Sequence, residues 1–273
     1  MIAYFPIKKS FVDICSNNNL IPINSAWKET AFEFDEYGFL LSDGRYLMSY
    51  LCELPSNNKS RTVFYWFRLD DSFNFDETSF IFSYGKARIG EAFGVFYGKP
   101  ELKQYNDHPK GLRIFLYCDE NIPGYTNESI QQKCDSDPQI SRGQLTSKKW
   151  YYTAVTYSSD KLTFYFGDTN ASSQTATIQY TLNTFPSKYL FIGSIIPEIS
   201  TITLSDLRNL EDYFAPYKCD VEKVKDRKEK ILAFPYPKWP FCGYVREFMI
   251  FDTKLNENDI TKIASITAKF ISE

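Results

Sequence analysis

The sequence predicts an all-β protein, an antiparallel β-sandwich with a helix at its C-terminal end. Aromatic residues make up 18% of the chain, with 24 Phe and 20 Tyr, and such rings pack well on a pleated, half-buried surface. Several stretches also alternate in side-chain type with the two-residue period of a strand. A hydrophobic content of 43% over 273 residues supplies enough core for one large sandwich.

The composition limits the partners that we expect. The net charge is -3, the pI is near 5.5, and acidic and basic residues are mixed along the whole chain. Such a chain lacks the concentrated positive charge that nucleic-acid binding requires. Its apolar runs fall short of the roughly 20 residues that cross a bilayer. We therefore expect no nucleic acid and no membrane span.

Residues 1–28 are predicted to form an N-terminal arm or edge strand. Lys8 and Lys9 follow a short apolar start that Pro6 interrupts, which reverses the order of charge and apolar core in a signal peptide. This order favours an intracellular location, in the cytoplasm or an organelle. An extracellular location stays open if the sequence is part of a longer chain.

The next part of the chain predicts a succession of strands. Ser42-Asp43-Gly44 follows Leu40-Leu41 and is typical of a hairpin turn. Four strands at short spacing come next, and we expect them to form one antiparallel meander. They are centred on Val63 to Arg68, Phe80 to Tyr84, Phe93 to Tyr97 and Leu112 to Cys118.

A second hairpin is predicted around Ser158-Ser159-Asp160. The strand before this turn starts at Trp150, and the strand after it places Leu162, Phe164 and Phe166 on one face. A further short strand is expected at Leu190 to Gly193.

The last strand and helix are predicted most clearly. Gly243 to Phe251 is rich in branched and aromatic residues, and Asp252-Thr253-Lys254 then turns the chain. Asn256, with Asp259 three residues later, is the pattern of a capped helix start. The helix is expected to bury one apolar face, which consists of Ile260, Ile263, Ala264, Phe270 and Ile271.

These stretches resemble laminin G-like jelly rolls of the concanavalin A-like lectin and glucanase superfamily. The closing pattern of that family is matched by Gly243, Val245, Glu247, Phe248, Ile250, Phe251, Leu255 and Asn256. The resemblance covers about residues 28–205 and 240–262. It implies a jelly-roll sandwich over residues 29–262, with an insertion at about 205–240 and a C-terminal helix over 256–273.

The insertion and one long loop hold the candidate binding residues. VEKVKDRKEKIL predicts a short helix, and the proline-rich run after it presents Tyr236 and Trp239 to a partner or covers the sandwich edge with them. In the polar loop 119–147, the candidates for calcium or ligand binding are Asp119, Glu120, Asp135 and Asp137. The alternative is that these four acids are simply solvated, because calcium needs about six converging oxygens.

The six cysteines leave two states open. They show no closely spaced pairs of the kind that zinc sites use. In an oxidising compartment we expect Cys118 to pair with Cys134, and the resemblance implies a Cys219–Cys242 bridge. Buried free thiols are the alternative.

Catalysis is not expected. Glu33, Asp35 and Glu36 invite comparison with glucanases, but a catalytic set on one strand face would need an acid where Tyr37 or Gly38 stands. His108, the single histidine, lies in a turn-prone loop, so schemes that use a histidine base are disfavoured.

Two functions therefore remain, with a glycoside hydrolase as a distant third. The first is a non-catalytic interaction or structural subunit of a larger multi-subunit complex, with other protein subunits as partners. The alternative is a carbohydrate-binding lectin or adhesion module that binds glycan, with or without calcium.

Overall fold

The protein is described by a computed structural model that covers most of its chain. It describes residues 1–16, 18–24, 34–42, 44–51, 54–86, 91–98, 111–115, 140–141, 145–170, 173–179, 181–184, 186–187, 189–194 and 240–272. The predicted insertion helix, the polar loop 119–147 except residues 140–141 and 145–147, and His108 lie outside these residues.

The described part is an antiparallel β-sandwich followed by a helix, so the predicted fold class is confirmed. In chain order its strands are β1 (Ala3–Phe5), β2 (Ile21–Asn24), β3 (Phe34–Asp35), β4 (Gly38–Phe39), β5 (Arg45–Tyr50), β6 (Arg61–Leu69), β7 (Ser79–Lys86), β8 (Glu91–Gly98), β9 (Gly111–Phe115), β10 (Ile140–Ser141), β11 (Trp150–Ser158), β12 (Lys161–Asp168), β13 (Ser173–Gln179), β14 (Tyr189–Ile192) and β15 (Gly243–Phe251). The helix α1 spans Glu257–Ser272.

The strands form two large sheets. The first sheet has the order β1-β15-β6-β11-β12-β13, and the second has the order β10-β9-β8-β7-β14-β5-β2. A separate hairpin joins β3 to β4. Between the large sheets lies a continuous core of aliphatic and aromatic side chains, with Val63, Tyr65 and Phe67 of β6 at its centre.

The expected four-strand meander is wrong in one respect. The strands β7, β8 and β9 pair consecutively, but β6 pairs with β11 and β15 in the other sheet. The segment from Asp70 to Thr78 is long enough to cross from one sheet to the other. Alternation predicts that a strand exists, but both faces of β6 are buried, so its pattern does not reveal which sheet it joins.

The N-terminal stretch supplies an edge strand to each sheet. β1 pairs with the closing strand β15, and β2 pairs with β5 in the second sheet. Between them, the main chain folds back over β1, where the amide of Ile14 donates to the carbonyl of Tyr4 at 2.9 Å.

Gly243 begins the closing strand because the backbone of β6 lies too close for a side chain. A Cβ at this position would fall 2.2 Å from the carbonyl oxygen of Arg68 and 2.9 Å from the ring of Phe241. Gly243 also exchanges two backbone hydrogen bonds with Leu41, at 2.8 and 2.9 Å. The glycine therefore fixes where β15 enters the first sheet.

The helix α1 packs on the outward face of the first sheet. Its start is capped reciprocally, since Asn256 Oδ1 accepts from the amide of Asp259 at 3.0 Å and Asp259 Oδ2 accepts from the amide of Asn256 at 3.2 Å. Ile260, Ala264 and Ile271 are buried against the sheet, which confirms most of the predicted face.

Phe270 is an exception to the predicted apolar face, since 46% of its surface is exposed. At 3.6 residues per turn, it points roughly 80° away from Ile260, whereas Thr267 points within about 20° of it. Thr267 accordingly occupies the buried stripe. Its hydroxyl accepts from Trp66 Nε1 at 2.7 Å and donates to the carbonyl of Ile263 at 2.8 Å.

In the described part of the chain, no helix has both the length and the apolar character that spanning a bilayer requires.

Candidate binding site

A row of three side chains crosses the outward face of the first sheet at one end. Arg68 of β6 lies opposite Tyr244 of β15 on one side and Trp150 of β11 on the other. Directly paired residues of antiparallel strands project from the same face, so the row alternates ring, guanidinium and ring. The next row consists of Arg246, Trp66 and Tyr152.

The helix covers the second row, whereas a hairpin turn covers the first. The last turn of α1 reaches Arg246, whose Nη2 donates to the carbonyl of Phe270 at 2.5 Å. Over the first row lies Tyr37, whose ring centroid is 3.5 Å from the Cζ of Arg68 and 5.6 Å from the ring of Tyr244. A guanidinium on a ring face is held by the negative charge density of that face.

The turn that carries Tyr37 is fixed by its own sequence. The Oδ1 of Asp35 accepts from the amides of Tyr37 at 2.7 Å and Gly38 at 3.1 Å. Gly38 has a φ of +120°, and a Cβ there would lie 2.6 Å from the carbonyl oxygen of Ile7. Glycine is therefore required at this point. The ring of Tyr37 is partly buried and lies at the rim of the site, near Asp70, Asp71 and Lys148.

Asp35 also connects the hairpin to the sheet. Its Oδ2 accepts a hydrogen bond of 2.5 Å from the hydroxyl of Tyr244. Burial raises the pKa of Tyr244, and the hydrogen bond to Asp35 and the negative charge of that group raise it further. The hydroxyl stays a donor at neutral pH, so both oxygens of Asp35 are occupied within the protein.

Arg68 is buried, with 7% of its surface exposed, yet much of its guanidinium lacks an acceptor. Neither Nε nor Nη1 has a hydrogen-bond partner among the described residues. Leaving a buried donor unsatisfied costs about 1–3 kcal/mol. The arrangement therefore presents N–H donors behind the ring of Tyr37.

Arg61, at the other end of the same strand, shows how this chain satisfies a buried guanidinium. Arg61 has no exposed surface. Its three nitrogens donate to Tyr84, Thr184 and the carbonyls of Ser56, Asn57 and Lys59 at 2.7–3.2 Å. Arg68, with Nε and Nη1 both unfilled, differs from Arg61 in this respect.

Charged groups surround the rim beyond Arg68. Lys148 Nζ and Asp71 Oδ2 form an exposed ion pair at 2.7 Å. Burial raises the pKa of Asp70, but hydrogen bonds from the hydroxyl and amide of Ser72 outweigh it, so the pKa is lowered overall. The rim thus combines ring surface, guanidinium donors and carboxylate acceptors.

A second polar cluster lies where the N-terminal stretch meets β15. Glu247 sits at the irregularity in the pairing of β15 with β6, with a φ of +51°, and its buried Oε2 accepts a hydrogen bond from the hydroxyl of Tyr4. Burial raises the pKa of Glu247. Asp13 binds the amide of Tyr4 at 2.9 Å, so this cluster anchors the arm and is structural.

The candidate residues named from the sequence lie outside the described part of the chain. They are Asp119, Glu120, Asp135, Asp137, Tyr236 and Trp239. The two disulfide pairings also fall outside it, because Cys118, Cys134 and Cys219 are not described. Calcium binding remains a prediction; no group of three or more His, Cys, Asp or Glu suited to a metal occurs in the described ranges.

The expectation of buried thiols is wrong for Cys15, which is a free and exposed cysteine. Its side chain is exposed, because the preceding turn is held by Asp13, whose Oδ1 accepts from the amide of Cys15 at 2.9 Å. The residue therefore lies on a polar turn at the surface.

The site around Arg68 was not predicted from the sequence, although the sequence contains a signal for it. Phe64, Trp66 and Arg68 occupy alternate positions of one strand and share one face. A charged residue on an otherwise aromatic face is unusual unless it has a partner. The sequence could not show that Tyr37 would be that partner.

Known proteins share the fold of this chain, but none of them assigns the chain to a family. No family model matches the sequence, and no curated protein matches it. One similar structure is domain 4 of AbnA, a GH43 extracellular arabinanase from Geobacillus stearothermophilus, in complex with arabinotriose. The TM-score is 0.51 and the identity 13%, and the match covers 96% of this chain and 97% of that domain.

A second similar structure is the receptor-binding domain of botulinum neurotoxin D. The TM-score is 0.50 and the identity 14%, and the match covers 97% of this chain and 52% of that domain. The present chain thus spans about half the length of the neurotoxin domain. At such identities both likenesses establish a shared β-sandwich fold, and they do not single out laminin G-like modules.

Proposed function

We propose that the protein is a non-catalytic carbohydrate-binding β-sandwich that holds a sugar at Arg68 and Tyr37. The observation that carries the proposal is the partly buried ring of Tyr37, whose centroid lies 3.5 Å from the Cζ of a buried guanidinium with unfilled donors. Binding sites for small molecules are typically aromatic surfaces with a few well-placed polar groups.

The chemistry of the rim suits a sugar. The C–H bonds on one face of a pyranose or furanose ring carry slight positive charge, which an aromatic face attracts. The hydroxyls of a sugar are both donors and acceptors. Here the guanidinium of Arg68 supplies donors, while the exposed residue Glu36, next to Tyr37 in the chain, supplies a carboxylate acceptor.

The similar arabinanase domain supports the class of ligand. Its structure contains arabinotriose, and the likeness extends over almost the whole of both chains. The laminin G-like resemblance remains a finer proposal on the same sandwich.

The hydrogen bonds that Asp35 makes within the protein fit binding without catalysis. Retaining and inverting glycosidases need a pair of carboxyl groups, about 5–10 Å apart, that flank the scissile bond. Asp35 instead holds its own turn and the hydroxyl of Tyr244. We therefore propose that the chain binds glycan and does not cleave it.

A glycan array followed by calorimetric titration tests the proposal. We expect binding to at least one neutral or acidic oligosaccharide on the array, and a loss of at least tenfold in affinity in Tyr37→Leu. Phe270→Leu is the matched control, because Phe270 is an exposed aromatic residue on α1. An array without any binder, or equal losses in both variants, would overturn the proposal.

Exposed apolar side chains favour a second candidate, a protein-interaction or structural subunit. Val12 and Ile14 of the N-terminal stretch are 51% and 62% exposed. The double substitution Val12→Ser and Ile14→Ser should then reduce the mass of any complex that light scattering detects for the unaltered protein. A single-chain mass at high concentration would count against self-association through these residues.

A further inference from the structure

The charge of Arg68 is not balanced by an ion pair with any described residue. The ion pairs found there join Met1 to Asp252, Lys148 to Asp71 and Lys149 to Asp168. A buried arginine is rare unless it is paired, and an unpaired buried charge is strongly unfavourable. Arg61 is also buried without an ion pair there, but all three of its nitrogens have acceptors. Nε and Nη1 of Arg68 have none among the described residues, and this arrangement points to a partner that arrives from outside the chain.

The neighbouring carboxylates already have partners. Asp35 accepts from Tyr244 at 2.5 Å, Asp70 accepts from the hydroxyl of Ser72 at 2.6 Å, and Asp71 pairs with Lys148 at 2.7 Å. Asp70 attracts Arg68 through space, but within the described part of the chain Nε and Nη1 of Arg68 remain without an acceptor.

We infer that the sugar bound at this site is acidic and that its carboxylate pairs with the guanidinium of Arg68. The inference rests on the proposed carbohydrate-binding function and specifies its ligand class. An ionised carboxylate has two oxygens that accept up to about four hydrogen bonds. Hydrogen bonds between two charged groups are about twice as strong as neutral ones, so a carboxylate satisfies Arg68 better than a sugar hydroxyl does.

Tyr37 controls how the carboxylate reaches Arg68. Its ring stands on the turn between β3 and β4 and covers the guanidinium. Because the ring is partly buried and packed on Arg68 and Tyr244, it must turn aside before it packs against the sugar. Lys148, with 67% of its side chain exposed, lies at the rim in its ion pair with Asp71.

The experiment compares trigalacturonic acid with its fully methyl-esterified form, by calorimetric titration at low salt. The two probes share ring and hydroxyls and differ in charge. We expect the ester to bind the unaltered protein at least tenfold more weakly than the acid. Arg68→Gln should lower the affinity for the acid at least tenfold, whereas Arg45→Gln, the same change at the start of β5 in the other sheet, should leave it unchanged.

The outcomes separate this inference from the function on which it rests. Equal affinity for acid and ester would overturn the inference and leave carbohydrate binding intact. Absence of binding by both probes and by every glycan on the array would overturn the proposed function itself.

Inorganic sulfate serves as the free-anion probe. If sulfate binds as tightly as trigalacturonic acid and Arg68→Gln abolishes both, the site is a general anion site and the inference is wrong. The comparison of acid with ester uses the unaltered protein, so it decides the matter even if Arg68→Gln fails to fold.

Discussion

The guanidinium of Arg68 lies 3.5 Å from the ring centroid of Tyr37, although the two residues come from different parts of the fold. One comes from the end of β6, and the other from the small hairpin of β3 and β4. Their contact closes the end of the first sheet that α1 leaves uncovered, and it creates the candidate site.

This contact should be measurable as a coupling energy. Stacking of an arginine on a ring contributes about 1 kcal/mol or more when the pair is partly desolvated. In a double-mutant cycle of Arg68→Gln and Tyr37→Leu, we expect the two effects on the free energy of unfolding in urea to be non-additive by about that amount. Additivity within about 0.3 kcal/mol would show that the contact does not stabilise the fold.

The hydrogen bond between Trp66 and Thr267 should stabilise the docking of α1. Thr267→Val keeps the shape of the side chain but removes the acceptor, so a buried indole N–H loses its partner at 2.7 Å. We expect a loss of about 1–3 kcal/mol in the free energy of unfolding. Thr261→Val, on the exposed side of α1, is the control and should change little. Equal effects at the two positions would contradict the prediction.

The reciprocal cap at the start of α1 gives a third prediction. Asn256→Ala removes the acceptor for the amide of Asp259, and loss of such a cap costs about 1 kcal/mol. Asn256→Ser should retain most of the stability, because serine also caps a helix. The midpoint of urea unfolding followed by circular dichroism measures both; an alanine variant as stable as the serine variant would rule out a stabilising cap.

Glu247 should make stability depend on pH. Because burial raises its folded-state pKa above the ordinary 4.5, the folded state binds the proton more tightly than the unfolded chain does. Its contribution is therefore most favourable below pH 4.5 and is lost as the pH rises through the raised pKa, by about 1.4 kcal/mol for each unit of pKa difference.

Glu247→Gln removes this ionisation, so urea unfolding between pH 4 and pH 8 isolates it. We expect the stability of the unaltered protein relative to the glutamine variant to fall as the pH increases. A constant difference across this range would show that the carboxyl does not titrate differently in the two states. Asp160→Asn, on the turn between β11 and β12, provides the matched control.

Most strands were predictable because each one follows from a local pattern. The hairpin of β11 and β12 and the closing strand β15 appear where alternation and turn residues placed them. The sheet that β6 joins was not predictable, since both faces of β6 are buried and its neighbouring strands come from distant parts of the chain.

The candidate site was only partly visible for the same reason. The aromatic face of β6 and the tight turn before Gly38 can both be recognised in the sequence. Their meeting depends on the position of Tyr244 in β15, near the other end of the chain. Non-local pairing of this kind leaves no spacing rule to detect.

By itself, the sequence determined the sandwich class and the closing strand with its capped helix, because these depend on neighbours along the chain. The tertiary structure alone decided that Arg68 would be buried without an ion pair among the described residues, that Tyr37 would cover it, and that Thr267 would replace Phe270 against the sheet. Those outcomes depend on which surfaces meet when the sheets, hairpin and helix pack, and that is a property of the assembled fold.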